Sequence, residues 1–222
     1  EIGTQETVGI IGPNGSGKTS LFNCISGFNE LTGGQVLLDG VDVTSKPPAV
    51  RARTGIGRVF QNFGIFREMT VMENMLAALE AHVSLWSTFV PWQKTSQQHR
   101  ARALEYLREV KLEGKADERA SSLSGGQMRL LEIIRTLAFD AKVFLLDEPT
   151  AGVSPKMKDD VAELIRKLQT LGKTVLVIEH DINFIQKFCN RIVVLDSGQV
   201  VLDDTPERVR ADARLREIYF GS

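Results

Sequence analysis

The sequence is poor in cysteine and has no long apolar run. Cys24 and Cys189 are the two cysteines among 222 residues, and they do not form a C-x-x-C pair. A disulfide framework or a zinc site is therefore not expected, and the cysteine content favours a reducing compartment. Each cysteine is expected to be a small buried apolar side chain. No run reaches the ~18 apolar residues of a membrane-spanning helix, and no signal-peptide pattern is visible.

The sequence also lacks an excess of either charge. Lysine and arginine number 27 and aspartate and glutamate 28, so the formal net charge is −1. This balance provides no broad basic surface, and a nucleic-acid partner is not expected. A hydrophobic content of 42% is ordinary for a globular domain and suffices for a core in a chain of this length.

Strand and helix patterns alternate in the first and last parts of the chain. The alternation predicts an α/β domain with a mostly parallel sheet covered on both faces. From Arg67 to Arg135 the patterns are helical, which predicts a helical subdomain, residues 67–135, inserted into a core of residues 1–66 and 136–222. Predicted strands are Thr7–Ile11, Gln35–Asp39, Ile56–Gln61, Val143–Asp147, Thr174–Ile178, Arg191–Leu195 and Val200–Leu202. Predicted helices are Lys18–Ile25, Val71–Ala81, Gln97–Val110, Pro155–Leu171 and Ile182–Phe188.

A glycine-rich loop separates the first predicted strand from the first predicted helix. Residues 12–19 read G-P-N-G-S-G-K-T and match G-x-x-x-x-G-K-[ST]. Glycines let backbone N–H groups converge on phosphate oxygens, and the helix start adds partial positive charge. The pattern predicts that Lys18 reaches the β- and γ-phosphates of ATP and that the Thr19 hydroxyl ligates Mg²⁺. The candidate nucleotide-binding residues are Gly12, Asn14, Gly15, Ser16, Gly17, Lys18, Thr19 and Ser20.

Two carboxylates, Asp147 and Glu148, follow the apolar run Val143–Leu146. In a doubly wound sheet, a carboxylate at the end of a buried strand lies beside the phosphate loop. We expect Asp147 to hold Mg²⁺ through water and Glu148 to polarise the attacking water. Taken alone, this is a common way for a strand to end.

A second loop-to-helix transition occurs at Leu123–Gln127, which reads L-S-G-G-Q. Ser124 is expected to cap a helix that begins near Gly125. Two consecutive glycines in the first turn cost roughly 1 kcal/mol each in helix propensity, so their presence needs a reason. Exposed backbone N–H groups at this helix start would form a second anion-binding site in the same chain.

With these motifs the sequence resembles the ATP-binding-cassette (ABC) ATPase family over nearly its whole length. The resemblance assigns Gln61, in V-F-Q-N, to a glutamine loop near the Mg²⁺ and the attacking water, and His180, in I-E-H-D, to a γ-phosphate contact. Read alone, each is an ordinary turn or helix-start residue. The signature residues of the family would be Ser124, Gly125, Gly126 and Gln127.

The resemblance also implies partners. Two ATPase subunits, identical or different, would pack head to tail, with each ATP held between the glycine-rich loop of one and the signature of the other. Transmembrane permease subunits and a solute-binding protein would complete a transporter, with the ATPase at the cytoplasmic face of the membrane. Family members have a further strand and an adenine-stacking aromatic residue upstream, so we expect more chain before Glu1. They commonly carry aspartate or asparagine where Ser154 stands, so communication between the two sites is expected to differ.

The segments Phe66–Asn74 and Ile218–Gly221 resemble the ATPases of branched-chain amino-acid importers. Lipopolysaccharide-exporter and urea-importer ATPases are similar. A soluble ABC ATPase acting on nucleic acid or ribosomes is a further alternative, but the two cassettes, coiled-coil arm or zinc cysteines usual there are absent from this sequence. A P-loop kinase or GTPase would leave Leu123–Gln127 and His180 unexplained.

Two other features leave alternatives open. Met69, Met72 and Met75 are spaced three apart, and they belong either to a groove for a permease helix or to a core face. The basic segment Arg51–Arg53 is expected to be a solvated face.

Overall fold

A six-stranded sheet forms the centre of the fold. The computed structural model describes residues 1–62, 64–81 and 92–220. The strands are β1 Thr7–Ile11, β2 Leu37–Leu38, β3 Val41–Asp42, β4 Ile56–Val59, β5 Val143–Asp147, β6 Thr174–Ile178, β7 Arg191–Asp196 and β8 Gln199–Asp204. The order across the sheet is β4-β5-β6-β1-β7-β8, parallel except for the antiparallel pair β7-β8.

The helices surround this sheet and also form a layer of their own. They are α1 Lys18–Ser26, α2 Pro48–Thr54, α3 Val71–Glu80, α4 Trp92–Glu109, α5 Gly125–Ala138, α6 Pro155–Thr170, α7 Ile182–Ile185, α8 Pro206–Ala211 and α9 Ala213–Phe220. Helices α3, α4 and α5 lie between β4 and β5 in the chain and pack on one another. The mostly parallel α/β fold with added antiparallel strands and an inserted helical segment is therefore confirmed. Within the described ranges, no helix is both long and apolar enough to cross a bilayer.

The parallel registers bring three strand ends to one edge of the sheet. β1 and β6 are buried along their whole length, as expected for strands covered on both faces. Val59 is opposite Leu146, and Asp147 is opposite Ile178, which also pairs with Ile10. The carboxyl ends of β1, β5 and β6 thus meet where a doubly wound sheet binds ligands.

Three predicted elements are shorter or divided. The strand expected at Gln35–Asp39 is a two-residue strand, β2, joined to β3 by a tight turn in which Asp39 and Gly40 both have positive φ. The strand expected to run to Gln61 ends at Val59, because the Phe60 and Gln61 carbonyls accept hydrogen bonds from Arg129 instead of pairing in the sheet. Helix α7 ends at Ile185, whose carbonyl accepts from two N–H groups of the following turn.

The three methionines divide between core and surface. Met72 and Met75 are buried in the core shared by α3, α4 and α5, so the core alternative is correct for both. Met69 is 41% exposed and lies beside Phe66, which is 51% exposed. Cys189 is buried as predicted, while Cys24 is only half-buried, and both are free thiols. The sequence of Leu85–Lys94, with two tryptophans around Pro91, predicts an irregular insertion between helices, and most of it falls on residues 82–91, outside the described part of the chain.

The expectation that Arg51–Arg53 forms a solvated face is wrong for Arg51. Its side chain is buried, and its guanidinium donates to the carbonyls of Cys24 and Ile25 at the end of α1 and to those of Thr44 and Lys46. A cation is stabilised at a helix C-terminus, where the last carbonyls lack partners within the helix. Arg51 therefore joins α2 to the end of α1.

Candidate active site

The glycine-rich loop connects β1 to α1 through a backbone that only glycine adopts. Gly12 has φ 153°, and a Cβ built there would lie 2.0 Å from the Leu195 carbonyl oxygen. Gly17 has φ 100° and immediately precedes α1. Side chains at these positions would strain the turn, so the loop geometry depends on the two glycines.

Lys18 and Ser16 place polar atoms inside this loop. The Lys18 Nζ donates to the carbonyls of Gly12 at 2.8 Å and Pro13 at 2.9 Å. Burial lowers the pKa of Lys18, while Glu148 and Asp147 oppose that effect. Ser16 Oγ is buried without a hydrogen-bond partner. The loop therefore holds a cation and an unpaired hydroxyl next to its backbone N–H groups.

Asp147 lies at the end of β5 and is almost completely buried. Its Oδ2 accepts from Arg58 Nη2 at 3.1 Å, whereas its Oδ1 is buried without a partner. Burial raises the pKa of Asp147, and the bond from Arg58 opposes the rise. One carboxylate oxygen is thus held and the other is free for a ligand.

Glu148 contacts two other residues predicted from sequence, Gln61 and His180. Its Oε2 accepts from Gln61 Nε2 at 2.8 Å, and its Oε1 lies 2.8 Å from His180 Nε2. Glu148 itself has φ 47°, a conformation that a non-glycine residue rarely adopts. Its backbone N–H bonds to the Ile178 carbonyl at 3.0 Å. The ends of β5 and β6 therefore meet residues 60–62, which follow β4 and are called the Gln61 segment below, at the Glu148 carboxylate.

Glu179 fixes the loop that follows Glu148. Its Oε1 accepts from the backbone N–H of Thr150 at 2.9 Å and from the Thr150 hydroxyl at 2.6 Å. Burial raises the pKa of Glu179, and the Thr150 bonds oppose this. Glu179 was not among the predicted site residues, although a carboxylate directly after the apolar run of β6 is a signal that was available.

A buried ion pair on α5 holds the Gln61 segment. Arg129 Nη1 bonds to Glu132 Oε2 at 2.9 Å, and both side chains are at most 1% exposed. Arg129 also donates to the Gln61 carbonyl, and Glu132 Oε1 accepts from the N–H groups of Phe60 at 3.2 Å and Gly64 at 2.9 Å. Sequence reasoning missed the pair, for which two opposite charges three residues apart on an apolar helix were the available signal.

The signature residues lie at the start of α5, as predicted. Ser124 Oγ accepts from the Gln127 N–H at 3.3 Å, and the Gln127 side chain accepts from the Ser124 N–H at 3.1 Å, a complete capping box. Gly126 is buried against α6, where a Cβ would lie 2.8 Å from both Cβ and Cγ of Met157. Close helix packing therefore requires Gly126 independently of any ligand.

We expect Gly126→Ala to destabilise the chain in the absence of nucleotide by about 1–2 kcal/mol, because the overpacked contact with Met157 outweighs the gain of up to ~1 kcal/mol in helix propensity. Urea unfolding without nucleotide measures this effect. Gly33→Ala is the control, because a Cβ there meets nothing within 4 Å and the backbone does not have a positive φ. Unchanged stability of the Gly126 variant would show that α5 and α6 separate freely here.

The residues at this edge of the sheet fit a nucleotide with Mg²⁺. The unpaired oxygens of Asp147 and Ser16 are of the type that Mg²⁺ and phosphate groups contact, and Lys18 supplies positive charge. Thr19 follows Lys18 in the first turn of α1. In the described ranges, no cluster of three or more His, Cys, Asp or Glu side chains is arranged for a metal. A Mg²⁺ bound here would therefore need oxygens from the nucleotide as well.

The glycine loop before α1, the carboxylates after β5 and the parallel sheet define a P-loop nucleoside triphosphatase. Within this class, a helical segment that carries the sequence L-S-G-G-Q indicates an ATP-binding cassette. The chain belongs to the ABC transporter family, whose profile matches residues 1–151. It is an ATPase of the kind that hydrolyses ATP to power transport.

Two relatives illustrate the match. The chain is 38% identical over 228 residues to the high-affinity branched-chain amino acid transport ATP-binding protein BraF of Pseudomonas aeruginosa, covering all of this chain and 89% of BraF. It is 36% identical over 220 residues to the lipopolysaccharide export system ATP-binding protein LptB of Haemophilus influenzae, covering 99% of this chain and 88% of LptB. Importer and exporter subunits are thus almost equally similar.

Solved structures agree with the fold. The ADP conformation of MJ1267, an ATP-binding cassette of an ABC transporter, superposes with a TM-score of 0.85 at 33% identity, covering all of this chain and 90% of MJ1267. A dimeric post-hydrolysis state of the cassette MJ0796, bound to ADP and Pi, gives 0.78 at 31% identity, covering 93% of this chain and 88% of MJ0796.

Proposed function

We propose that this chain is the ATP-hydrolysing subunit of a membrane importer for branched-chain or related amino acids. The observation that carries the ATPase chemistry is the contact of Gln61 and His180 with the two oxygens of Glu148. The 38% identity to BraF and the resemblance of Phe66–Asn74 to importer ATPases support the substrate class.

Each residue has a distinct role in this proposal. Lys18 binds the β- and γ-phosphates, and the backbone N–H groups of residues 12–19 surround them. Thr19, Asp147 and Gln61 would hold Mg²⁺, and the ion would supply positive charge that neutralises the phosphate oxygens. Glu148 takes the proton of the attacking water or orients that water.

Gln61 and His180 act through the same carboxylate in this proposal. Both contact Glu148, and these contacts fix the position of its two carboxylate oxygens. His180 then contacts the γ-phosphate and Gln61 the water. A general base must lie within hydrogen-bond reach of the proton it removes, and two lateral contacts restrict the carboxylate to that region.

A second ATPase subunit completes the site in this proposal. The capping box leaves the start of α5 exposed at Ser124, with backbone N–H groups at a helix N-terminus. These groups bind the γ-phosphate held by the other subunit. ATP therefore favours the closed dimer, because its contacts on both subunits exist only there. The dimeric MJ0796 cassette bound to ADP and Pi supports this arrangement.

The exposed pair Phe66 and Met69 supports a membrane partner on the helical segment. Both side chains are exposed, and the central carbon of the Arg135 guanidinium lies 5.2 Å from the centre of the Phe66 ring. An apolar pair at this position suits a helix from a permease subunit at the cytoplasmic face of the membrane.

Purification from native membranes tests this proposal. We expect a tagged chain to retain a polytopic membrane protein, and Phe66→Ala with Met69→Ala to reduce its recovery about thirtyfold or more, because two apolar anchors contribute about 1 kcal/mol or more each. Leu171→Ala with Val200→Ala is the control, since these side chains are exposed elsewhere. Equal loss in both double variants would contradict docking at Phe66 and Met69.

An exporter subunit is the second candidate, because LptB is 36% identical. The identity of the membrane protein that co-purifies distinguishes the importer from the exporter. Reconstituted with its partners, an importer subunit drives ATP-dependent uptake of labelled leucine or a related amino acid. Retention of a lipopolysaccharide-binding membrane protein without such uptake would favour the exporter.

A further inference from the structure

Arg58 is a buried charge inside an otherwise apolar strand. It lies in β4 between Gly57 and Val59, and its side chain is 6% exposed. An isolated buried guanidinium is costly unless it is paired and hydrogen-bonded, so its partners must compensate for its burial.

The Arg58 guanidinium connects two elements of the nucleotide site. Its Nη2 donates to Asp147 Oδ2 at 3.1 Å, at the end of β5. Its Nη1 donates to Asn23 Oδ1 at 2.6 Å and Ser26 Oγ at 3.0 Å, both on α1, the helix that begins with Lys18. One planar group therefore joins the helix after the phosphate loop to the carboxylate proposed for Mg²⁺.

Aromatic rings fix the plane of this guanidinium. Its central carbon lies 4.8 Å from the Phe60 ring centre and 5.8 Å from that of Phe28. These two rings pack edge to face at 5.5 Å. Cation–π contacts within ~6 Å are favourable, and more so away from water. Arg58 thus has little freedom to rotate away from Asp147.

We propose that Arg58 is the positioning residue of the magnesium site, holding one oxygen of Asp147 so that the other faces the metal. The proposal rests on the ATPase function proposed above. Its geometric basis is the contrast between the two Asp147 oxygens, of which Oδ2 is held by Arg58 and Oδ1 is buried without a partner. A residue that does not bind the metal itself can orient a metal-binding carboxylate in this way through a hydrogen bond.

The fork of the guanidinium, rather than its charge alone, is what this role needs. Arg58 contacts three acceptors on two elements at once. A lysine ammonium is a point charge on a flexible stem and lacks the planar fork. A lysine could neutralise the charge of Asp147, but it could not fix the orientation of the Asp147 carboxylate.

The test measures Mg²⁺ dependence rather than turnover. A fluorescent ATP analogue is titrated in EDTA and then at increasing MgCl₂, using wild type, Arg58→Met and Arg58→Lys. We expect binding in EDTA to stay within about twofold of wild type, and the half-maximal Mg²⁺ concentration to rise about tenfold or more in both variants, as for other residues that orient metal ligands. Arg58→Lys keeps a buried cation and so provides a variant able to fold if Arg58→Met does not.

Arg51→Met is the matched control. Arg51 is also a buried arginine that bonds to α1, but its guanidinium donates to the backbone carbonyls of Cys24, Ile25, Thr44 and Lys46 and not to Asp147. We expect it to lower stability without moving the Mg²⁺ midpoint. An unchanged midpoint in the Arg58 variants, or its restoration by lysine, would overturn the proposal. Failure of wild type to bind the analogue at all would instead overturn the ATPase function.

Discussion

Replacing Glu148 with glutamine is expected to lower ATP hydrolysis by about a hundredfold or more, within the range of 10²–10⁴ for loss of a general base. Glutamine keeps the size of the side chain and can still contact Gln61 and His180. It cannot accept the proton of the attacking water as a carboxylate does. Binding of ATP depends on other groups and should persist.

The same variant is expected to accumulate as a dimer with ATP and Mg²⁺, because the closed state is no longer released by hydrolysis. Phosphate release and gel filtration measure the two effects on one preparation. Glu207→Gln removes an exposed carboxylate from α8 and serves as the matched control. Wild-type turnover in Glu148→Gln would remove Glu148 as the base, and a monomer at saturating ATP and Mg²⁺ would count against the composite site.

The fold was predictable because its main strands are nearly continuous apolar runs. Thr7–Ile11, Val143–Asp147 and Thr174–Ile178 have the same bounds in prediction and structure, since buried parallel strands carry their signal within five residues. The prediction was wrong for the short strands, where Gln35–Asp39 was expected to be a single strand. β2 and β3 have two residues each and are largely exposed, so their existence depends on one turn rather than on a periodic pattern.

Buried charges were the main part of the site that the sequence did not reveal. Arg51, Arg58 and Arg129 are ordinary surface residues by type, yet each is buried because carbonyls or carboxylates distant in sequence receive its N–H groups. Arg58 and Asp147 are 89 positions apart. Such partners are defined by tertiary packing, which no local periodicity reports.

The buried pair Arg129 and Glu132 connects the helical segment to Gln61 and Glu148, the residues proposed to act on the attacking water. Arg129 donates to the Gln61 carbonyl, and the Gln61 side chain contacts Glu148. A shift of α5 therefore has to move the Gln61 backbone or break bonds to a buried charge, and breaking such a pair typically costs about 3–5 kcal/mol. In the proposed dimer, the signature end of α5 and the Gln61 segment would consequently move together.

Replacing Lys18 with alanine is expected to weaken ATP binding by about a hundredfold, equivalent to losing two charge-assisted hydrogen bonds at ~1.5 kcal/mol each. The Lys18 Nζ donates to the carbonyls of Gly12 and Pro13, so its charge lies across the phosphate loop. Asp147 and Glu148 nearby would repel a triphosphate once that charge is removed.

Equilibrium titration with ATP and Mg²⁺ measures the affinity of the Lys18 variant, and ligand-induced thermal stabilisation provides an independent reading, because stabilisation falls as the dissociation constant rises. Lys142→Ala is the control, since Lys142 forms an exposed ion pair with Asp39 and its side chain is 63% exposed. Loss of binding should be confined to the Lys18 variant. Unchanged affinity there would mean that the backbone N–H groups of residues 12–19 and the start of α1 hold the phosphates by themselves, and the assignment of Lys18 to the β- and γ-phosphates would have to be abandoned.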